Sequence, residues 1–317
     1  MTGEPEPFEQ HRDHLLAVAY RMLGSRADAE DVVQETWLRW RAADQPEIRD
    51  LRAWLTTVTA RICLDQLRSA RLRREAYVGQ WLPEPLVDRL ASPDSDGPAA
   101  DPADRAARTD RVGYALQVVL ERLGPEQRVA FVLHDVFAVP FPEIASVLGT
   151  TPAAARQLAS RARRAVRTGD APRHTADPAE QRRVVTAFLA AAHTGDIDGL
   201  LAVLAPDAVT VGDGGGVAPA TRRPVTGSVP VARFLAGLFR RYRHEAESLH
   251  VELVRINGDL GLFIDILLPD GDHLRGTLAF AISGGRITAI YSQVNPAKLA
   301  RLPAPDPARA WTPSGTR

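Results

Sequence analysis

Apolar residues recur at helical spacing from the start of the chain. Leu15, Leu16, Ala19, Met22 and Leu23 predict a helix over residues 8–23, ended by Gly24-Ser25. Ala29, Val32, Val33, Thr36, Trp37 and Trp40 share one face of a second helix running to about residue 43, with Ser25 or Asp28 as its cap. Trp54, Leu55, Val58, Ile62, Cys63 and Leu67 stripe a third, over residues 51–74. Short connections between the three predict a compact all-helical domain. Helices are also expected over residues 111–123, 126–134 and 142–148, the last closed by Gly149. Thr150 or Thr151 can cap one more, in which Pro152 suits the first turn. A helix, a glycine turn and a capped second helix form the helix-turn-helix pattern.

The periodicity then changes. Residues 178–193 and 197–204 read as helices, and residues 249–256, 260–268, 273–282 and 286–294 as strands. The strands are joined at Asn257-Gly258, Pro269-Asp270-Gly271 and Ser283-Gly284-Gly285, which predicts an antiparallel meander in an α+β domain. Pro83, Pro85, Pro93, Pro98 and Pro102 forbid a long helix in between, so residues 77–104 read as a linker. Its segment Trp81 to Leu86 (WLPEPL) is too hydrophobic for a free tether and predicts a surface to pack on. Residues 169–177 form a second proline-bearing linker, and residues 303–317 a proline-rich tail expected to be disordered.

The 317 residues are 45% hydrophobic and 25% charged with a net charge of zero, an ordinary soluble composition with room for two or three domains. The balance as a whole points to no partner, but its distribution does. Four carboxylates and no base lie between Asp28 and Glu35. Residues 51–74 carry Arg52, Arg61, Arg68, Arg71, Arg73 and Arg74 against Asp65. The helix from Pro152 carries Arg156, Arg161, Arg163, Arg164 and Arg167 with no acid. An acidic helix ahead of two basic ones suggests a bridge between a basic protein surface and DNA; the plain alternative is a set of solvated faces. Cys63 is the one cysteine, which excludes a disulfide framework and a cysteine-spaced zinc site. No apolar run approaches the ~20 residues of a membrane span, and residues 1–9 have no signal-peptide pattern. A cytoplasmic protein without membrane contact or cofactor is expected.

A helix-turn-helix presents its second helix to the major groove, where arginine pairs with guanine edges or phosphates. In the helix over residues 51–74, arginines accompany Trp54, Thr56, Thr57 and Thr59, a combination that can track phosphates and hold unstacked bases. Residues 8–168 resemble a bacterial sigma-70-family factor of the extracytoplasmic function group. The resemblance is carried by Asp28 to Trp37 (DAEDVVQETW), Leu51 to Leu55 (LRAWL), Leu64 to Arg68 (LDQLR), Leu123 to Arg128 (LGPEQR), Phe141 to Ala145 (FPEIA) and Ala155 to Arg164 (ARQLASRARR). It implies a region 2 over residues 8–75, a linker over 76–110 and a region 4 over 111–168. It further implies that Asp31, Gln34, Glu35 and Leu38 contact the polymerase clamp. Arg61, with the loop over residues 44–50, would serve a flipped −10 base, and Arg68 would bind DNA. Arg156, Gln157, Arg161 and Arg163 would read the −35 element. Arg61 stands where a small amide is common, and Leu158 replaces a frequent basic residue, so the promoter sequence stays open.

Residues 178–300 resemble the SnoaL-like cone shared with polyketide cyclases and ketosteroid isomerases, and residues 301–317 follow as a tail. A subgroup of these sigma factors carries that domain. Its linker motif is similar to Trp81 to Pro85, and its other two motifs to Asp213 to Gly216 and Asn295 to Leu299, with Val217 and Ala297 departing from the pattern. The resemblance implies that Trp81, Pro83, Glu84, Asp213, Gly214, Asn295, Pro296 and Lys298 join the domain to the sigma part and control it in cis. Such cones can hold an aspartate base beside a polar partner. Asp207, Asp213, Asp265, His273 and Tyr291 are candidates, with Asp265 expected toward the interior. Each reads more simply as a surface or turn residue, and binding of an unidentified small ligand without turnover is the expectation. The alternatives are a DNA-binding regulator that does not engage polymerase, and an isomerase or cyclase with a DNA-binding leader.

Overall fold

A computed structural model describes residues 7–44, 47–75, 77–90, 113–168, 176–302 and 304–312, the side chains of 70–75 and 168 excepted. The chain divides into two compact units. One contains the described residues up to 75 together with 119–168; the other contains 77–90, 113–118 and 176–312.

In the first unit a short 3-10 turn, Glu9–His11, leads into α1 (Arg12–Leu23), which Gly24 ends in the left-handed conformation at φ 70°. Of the two expected caps, Ser25 serves α2 (Arg26–Ala42): its hydroxyl accepts from the Asp28 amide at 3.2 Å. Asp50 does the same for α3 (Leu51–Glu75) through the Ala53 amide at 3.0 Å. Phe8, Leu15, Val33, Trp40 and Leu55 form the core, with Trp37 and Trp54 half-buried against it. Cys63 is fully buried, and burial pushes its thiol well above the usual range, which leaves it inert.

Helix α4 (Tyr114–Leu120) is shorter than the expected 111–123, of which residues 111 and 112 lie outside the described set. Helix α5 (Pro125–Phe131) does not run straight to His134. It widens into a π-helical turn, Val132–Val136. The helix-turn-helix is α6 (Phe141–Leu148), a left-handed Gly149 and α7 (Pro152–Thr168), capped by Thr151 through the Ala154 amide at 3.2 Å. Ala155, Ala159 and Ala162 are buried along α7, which turns its arginines outward. Arg128 ties α5 to α1. Its buried guanidinium donates to the Met22 carbonyl at 2.8 Å and grips the Glu121 carboxylate at 2.9 and 2.8 Å.

The second unit holds a sheet of seven strands: β1 (Val87–Arg89), β2 (Leu204–Asp213), β3 (Val225–Thr226), β4 (Ser248–Ile256), β5 (Asp259–Leu267), β6 (His273–Ser283) and β7 (Arg286–Gln293), in spatial order β1-β4-β5-β6-β7-β2-β3. The meander β4 to β7 is as expected, and Asn257 and Gly258 take φ of 52° and 91° in its first turn. The sheet is not purely antiparallel, because β2 lies parallel to β7. More than seventy residues separate the two, so no tight turn sets their direction. Helices α8 (Pro178–Thr194), α9 (Ile197–Val203) and α10 (Ser228–Glu245) cover one face around Phe188, Leu235, Phe239, Leu262 and Phe280. This is the expected α+β cone.

The other face is covered by Leu82 and by Tyr114, Ala115 and Val118, packed on Val211, Phe263, Ala279 and Tyr291. Two expectations are corrected here. The linker is not only a tether, since Val87–Arg89 pairs with β4 as an edge strand. The described part of the tail is ordered on the sheet: Trp311 donates its amide to Val251 at 2.7 Å and packs on the helical-side core. An unpaired sheet edge and an exposed apolar face are both costly in water, and the chain covers them with its own proline-rich segments.

Candidate functional site

Three sequence motifs, spread over more than two hundred residues of the chain, meet at the Asp213 carboxylate. Asp213 ends β2 and is wholly buried. It accepts from the Tyr77 hydroxyl at 2.6 Å, the Leu82 amide at 2.9 Å, the Gly215 amide at 3.0 Å, Gln293 Nε2 at 3.2 Å and Lys298 Nζ at 2.8 Å. Burial alone would raise the Asp213 carboxyl. The Lys298 charge, with hydrogen bonds from Lys298, Tyr77 and Leu82, outweighs it and holds the group below its ordinary value. The Tyr77 hydroxyl is pushed up by its own burial and by the carboxylate it serves.

Lys298 completes the clamp. Its ammonium also donates to the Leu82 carbonyl at 2.5 Å and lies 4.0 Å from the centre of the Trp81 ring. Asn295 caps α11 (Pro296–Leu299) through the Ala297 amide and donates to the Tyr77 hydroxyl at 2.8 Å. Pro296, at the first position of α11, is exposed. The Pro83 carbonyl accepts from the Tyr114 hydroxyl at 2.7 Å and from Gln293 at 3.3 Å. A side chain at Gly214 would collide with the Ala218 carbonyl. Glu84 is half-buried beside this cluster of contacts. A few residues on, Leu86 exchanges hydrogen bonds with Asn257 at 2.8 and 3.0 Å, which sets β1 against the β4–β5 turn. Val217, where a lysine is missing from the pattern, is 78% exposed, and Ala297 is exposed as well, so both departures lie outside the clamp.

In the first unit, Asp31 and Gln34 are exposed on α2, Glu35 pairs with Arg39, and Leu38 leaves 54% of its surface in water. A cleft of about 540 Å³ is lined by Asp44, Ile48, Asp50, Trp54 and Thr57, with Glu143 of α6 also on its wall. Arg61 does not line it. It donates to the Ser146 carbonyl and hydroxyl at 3.0 Å. Arg68 pairs with Glu126 at 3.0 Å. On α7, Gln157 and Arg161 are exposed, Arg156 stacks on Phe141 at 5.1 Å, and Arg163 pairs with Asp135.

The Sigma-70 region 2 family matches residues 7–73, and the Sigma-70 region 4 family residues 114–166. The chain is 46% identical over 305 residues to the "ECF RNA polymerase sigma factor SigJ" of Mycobacterium tuberculosis, covering 95% of this chain and 94% of that one. This chain is an extracytoplasmic function sigma factor. It is 37% identical to the "Probable ECF RNA polymerase sigma factor SigI" of the same species over 96% of its length and 95% of that protein's. The crystal structure of Mycobacterium tuberculosis SigJ matches with a TM-score of 0.75 at 43% identity, covering 94% of this chain and 98% of the other. The protein is thus an alternative sigma factor acting on RNA polymerase, and the match to that relative extends through the cone-shaped domain.

The cone of this sigma factor holds a partly open cavity of about 300 Å³ between α10 and the sheet. None of Asp207, Asp213, Asp265, His273 and Tyr291 lines it. Asp207 is exposed, and Tyr291 is buried on the linker-side face. Asp265 does not face the interior. Ile264 and Ile266 on either side of it do, so strand alternation turns Asp265 to the other face. There it holds His273 and Arg275 at 2.7 Å each. Sequence reasoning missed Tyr77 and Gln293, both central to the clamp. A lone tyrosine at a helix end and a glutamine inside a strand carry no motif signal. Among the described residues of the sigma factor, no helix is long and apolar enough to cross a membrane.

Proposed function

We propose that this sigma factor directs core polymerase to its promoters through α2, α3 and α7, and that its C-terminal domain tunes initiation by gripping the linker. The observation that carries the reading is the Asp213 site. A buried carboxylate and the chain's only lysine are spent on the backbone of Leu82, which a passive tether does not need. In this reading the exposed stripe Asp31, Gln34, Glu35 and Leu38 meets the polymerase clamp. Arg156, Gln157 and Arg161 meet −35 DNA, with Arg163 joining once it leaves Asp135. The cleft beside Trp54 takes a flipped −10 base. Glu143 on the cleft wall, and the contacts of Arg61 to Ser146 and Arg68 to Glu126, favour a resting form in which α5 and α6 occupy the promoter-opening surface. Engaging the −10 element then requires those contacts to break. Among the described residues the lining of the cone's cavity holds no carboxylate or histidine, which supports binding over turnover.

The test is run-off transcription by purified bacterial core polymerase with the full chain and with Asp213→Asn and Lys298→Met. Initiation by the full chain is expected, with at least one clamp variant differing from it severalfold. Equal initiation by all three, at equal folding, would sink cis control, and no initiation on any promoter of a random library would count against the polymerase assignment.

A further inference from the structure

We propose that Phe141 and His134 are positioning residues for promoter recognition, whose stacked rings hold the Arg156 guanidinium in place before DNA arrives. The inference rests on the reading above that α7 meets DNA, and it adds the residues that prepare α7 to do so. Arg156 is exposed in the second turn of α7, and a recognition helix contacts its target with its N-terminal residues. An exposed arginine on a helix samples many rotamers, and fixing one of them on binding takes affinity away. Here the guanidinium carbon lies 5.1 Å from the centre of the Phe141 ring. A cation over a ring is held by the ring's quadrupole and not by an acceptor atom. The contact therefore restrains Arg156 and leaves its N–H donors for a phosphate or a guanine edge. Arg163, two turns further along the same side of α7, is held differently: its Nε donates to Asp135, so one of its donors is already spent.

The ring that holds Arg156 is itself held. The His134 and Phe141 rings lie 4.0 Å apart, centre to centre, with their planes 30° from parallel. His134 Nδ1 is 3.2 Å from the Val139 carbonyl, which can only accept, so Nδ1 carries the proton and the imidazole cannot swing. His134 belongs to the π-helical turn Val132–Val136. The backbone beyond it folds back on itself: the Val139 amide bonds Leu133 at 2.8 Å and the Ala138 amide bonds His134 at 3.1 Å. Ala138 takes a φ of 54°, a left-handed conformation that a residue with a Cβ adopts only at a cost. Widened turns of this kind recur at functional sites. This one supplies His134 to Phe141 and Asp135 to Arg163, and so supports two arginines of α7 from one place.

Packing does not account for the Phe141 ring. Phe141 is the first residue of α6 and is only half-buried, while Ile144, Ala145 and Val147 supply the buried side of that helix. Its replacement should therefore leave the helix-turn-helix folded.

The experiment uses the full-length protein bound to core polymerase, and a duplex that this holoenzyme selects from a random pool. Phe141→Leu should weaken the complex about two- to fivefold, the worth of one exposed cation–ring contact. Phe141→Tyr keeps a ring face and should bind as the unaltered chain does. In an Arg156→Ala background Phe141→Leu should have no further effect, because nothing is left to hold. His134→Ala should follow Phe141→Leu in both backgrounds, and decides alone should Phe141→Leu not fold. A structural role would add the same loss in either background. Such additivity, with Arg156→Ala itself weakened, overturns the positioning and leaves the DNA reading standing. If no duplex is selected, or Arg156→Ala binds like the unaltered chain, the DNA reading of this residue falls and takes the positioning with it. Magnetic-resonance relaxation of the Arg156 Nε–H bond in the free protein gives a check that needs no DNA. It should report a restrained side chain in the unaltered protein and a mobile one in Phe141→Leu; equal mobility in both overturns the stack.

Discussion

The Asp213–Lys298 pair is a buried ion pair that also holds hydrogen bonds to backbone, Tyr77 and Gln293 and rests on the Trp81 ring. Removing one partner of such a pair leaves a charge without compensation, and the loss is large. Lys298→Met should destabilise the C-terminal unit by about 3 kcal/mol, read as a lower midpoint in urea unfolding. The pair also sets a pH dependence with a definite sign. The folded-state Asp213 carboxyl lies below its ordinary value, so the unfolded chain takes up the proton first as pH falls. The stability it contributes is complete above the ordinary carboxylate range, near 4, and is lost as pH drops through the depressed folded value. Asp213→Asn should flatten that acid limb of the unfolding profile; an unchanged limb would mean that other carboxylates set it. At this scale the sequence was partly legible. Asp213, Asn295 and Lys298 stood out through motifs, whereas Tyr77 and Gln293 emerge only from the register that brings them together. Asp265 was misplaced because its apolar neighbours suggested burial in the cone, and burial on the opposite face satisfies the same pattern.

At the level of elements, the helices were the most legible because their caps and stripes are local. Ser25, Gly24, Gly149 and Thr151 fix the ends of α1, α2, α6 and α7 with contacts inside a few residues. What stayed hidden was non-local or locally contradictory. Helix α10 carries Pro230 and Gly237 in its sequence, and β2 contains Pro206 and an irregular register between Leu204 and Val209. The direction of β2 could not be read from any turn. Helix α7 invites a direct test of its outer face. Arg156→Ala and Arg161→Ala should each weaken promoter binding and lower the salt dependence by roughly one counterion if they touch phosphate; a base contact would instead relax sequence preference. Neither residue is buried, so the fold should be unaffected, and circular dichroism would register any exception.

On the scale of the whole molecule, the boundary of the C-terminal unit does not fall at one place in the chain. Residues 77–90 and 113–118 belong with it, although they precede it by more than fifty residues. A chain ended near residue 170 therefore loses more than a domain. It bares Leu82, Tyr114, Ala115 and Val118, which are buried on the sheet in the full chain. Such a truncation should bind a hydrophobic dye and self-associate, and polar replacements at Leu82 and Val118 should restore a monomer in sedimentation. A monomeric, dye-silent truncation would mean that these side chains find another cover. The same arrangement has a consequence in time. Strand β1 pairs with β4, whose last residue is made 167 residues after Arg89. At ribosomal speeds of ~5–20 residues per second the linker strand waits roughly 10–30 s for its partner. For about the second half of that interval the helices ending at Thr168 are already synthesised while the strand that will be gripped has nothing to grip it. Each new molecule thus passes through a nascent stage in which the clamp does not yet exist.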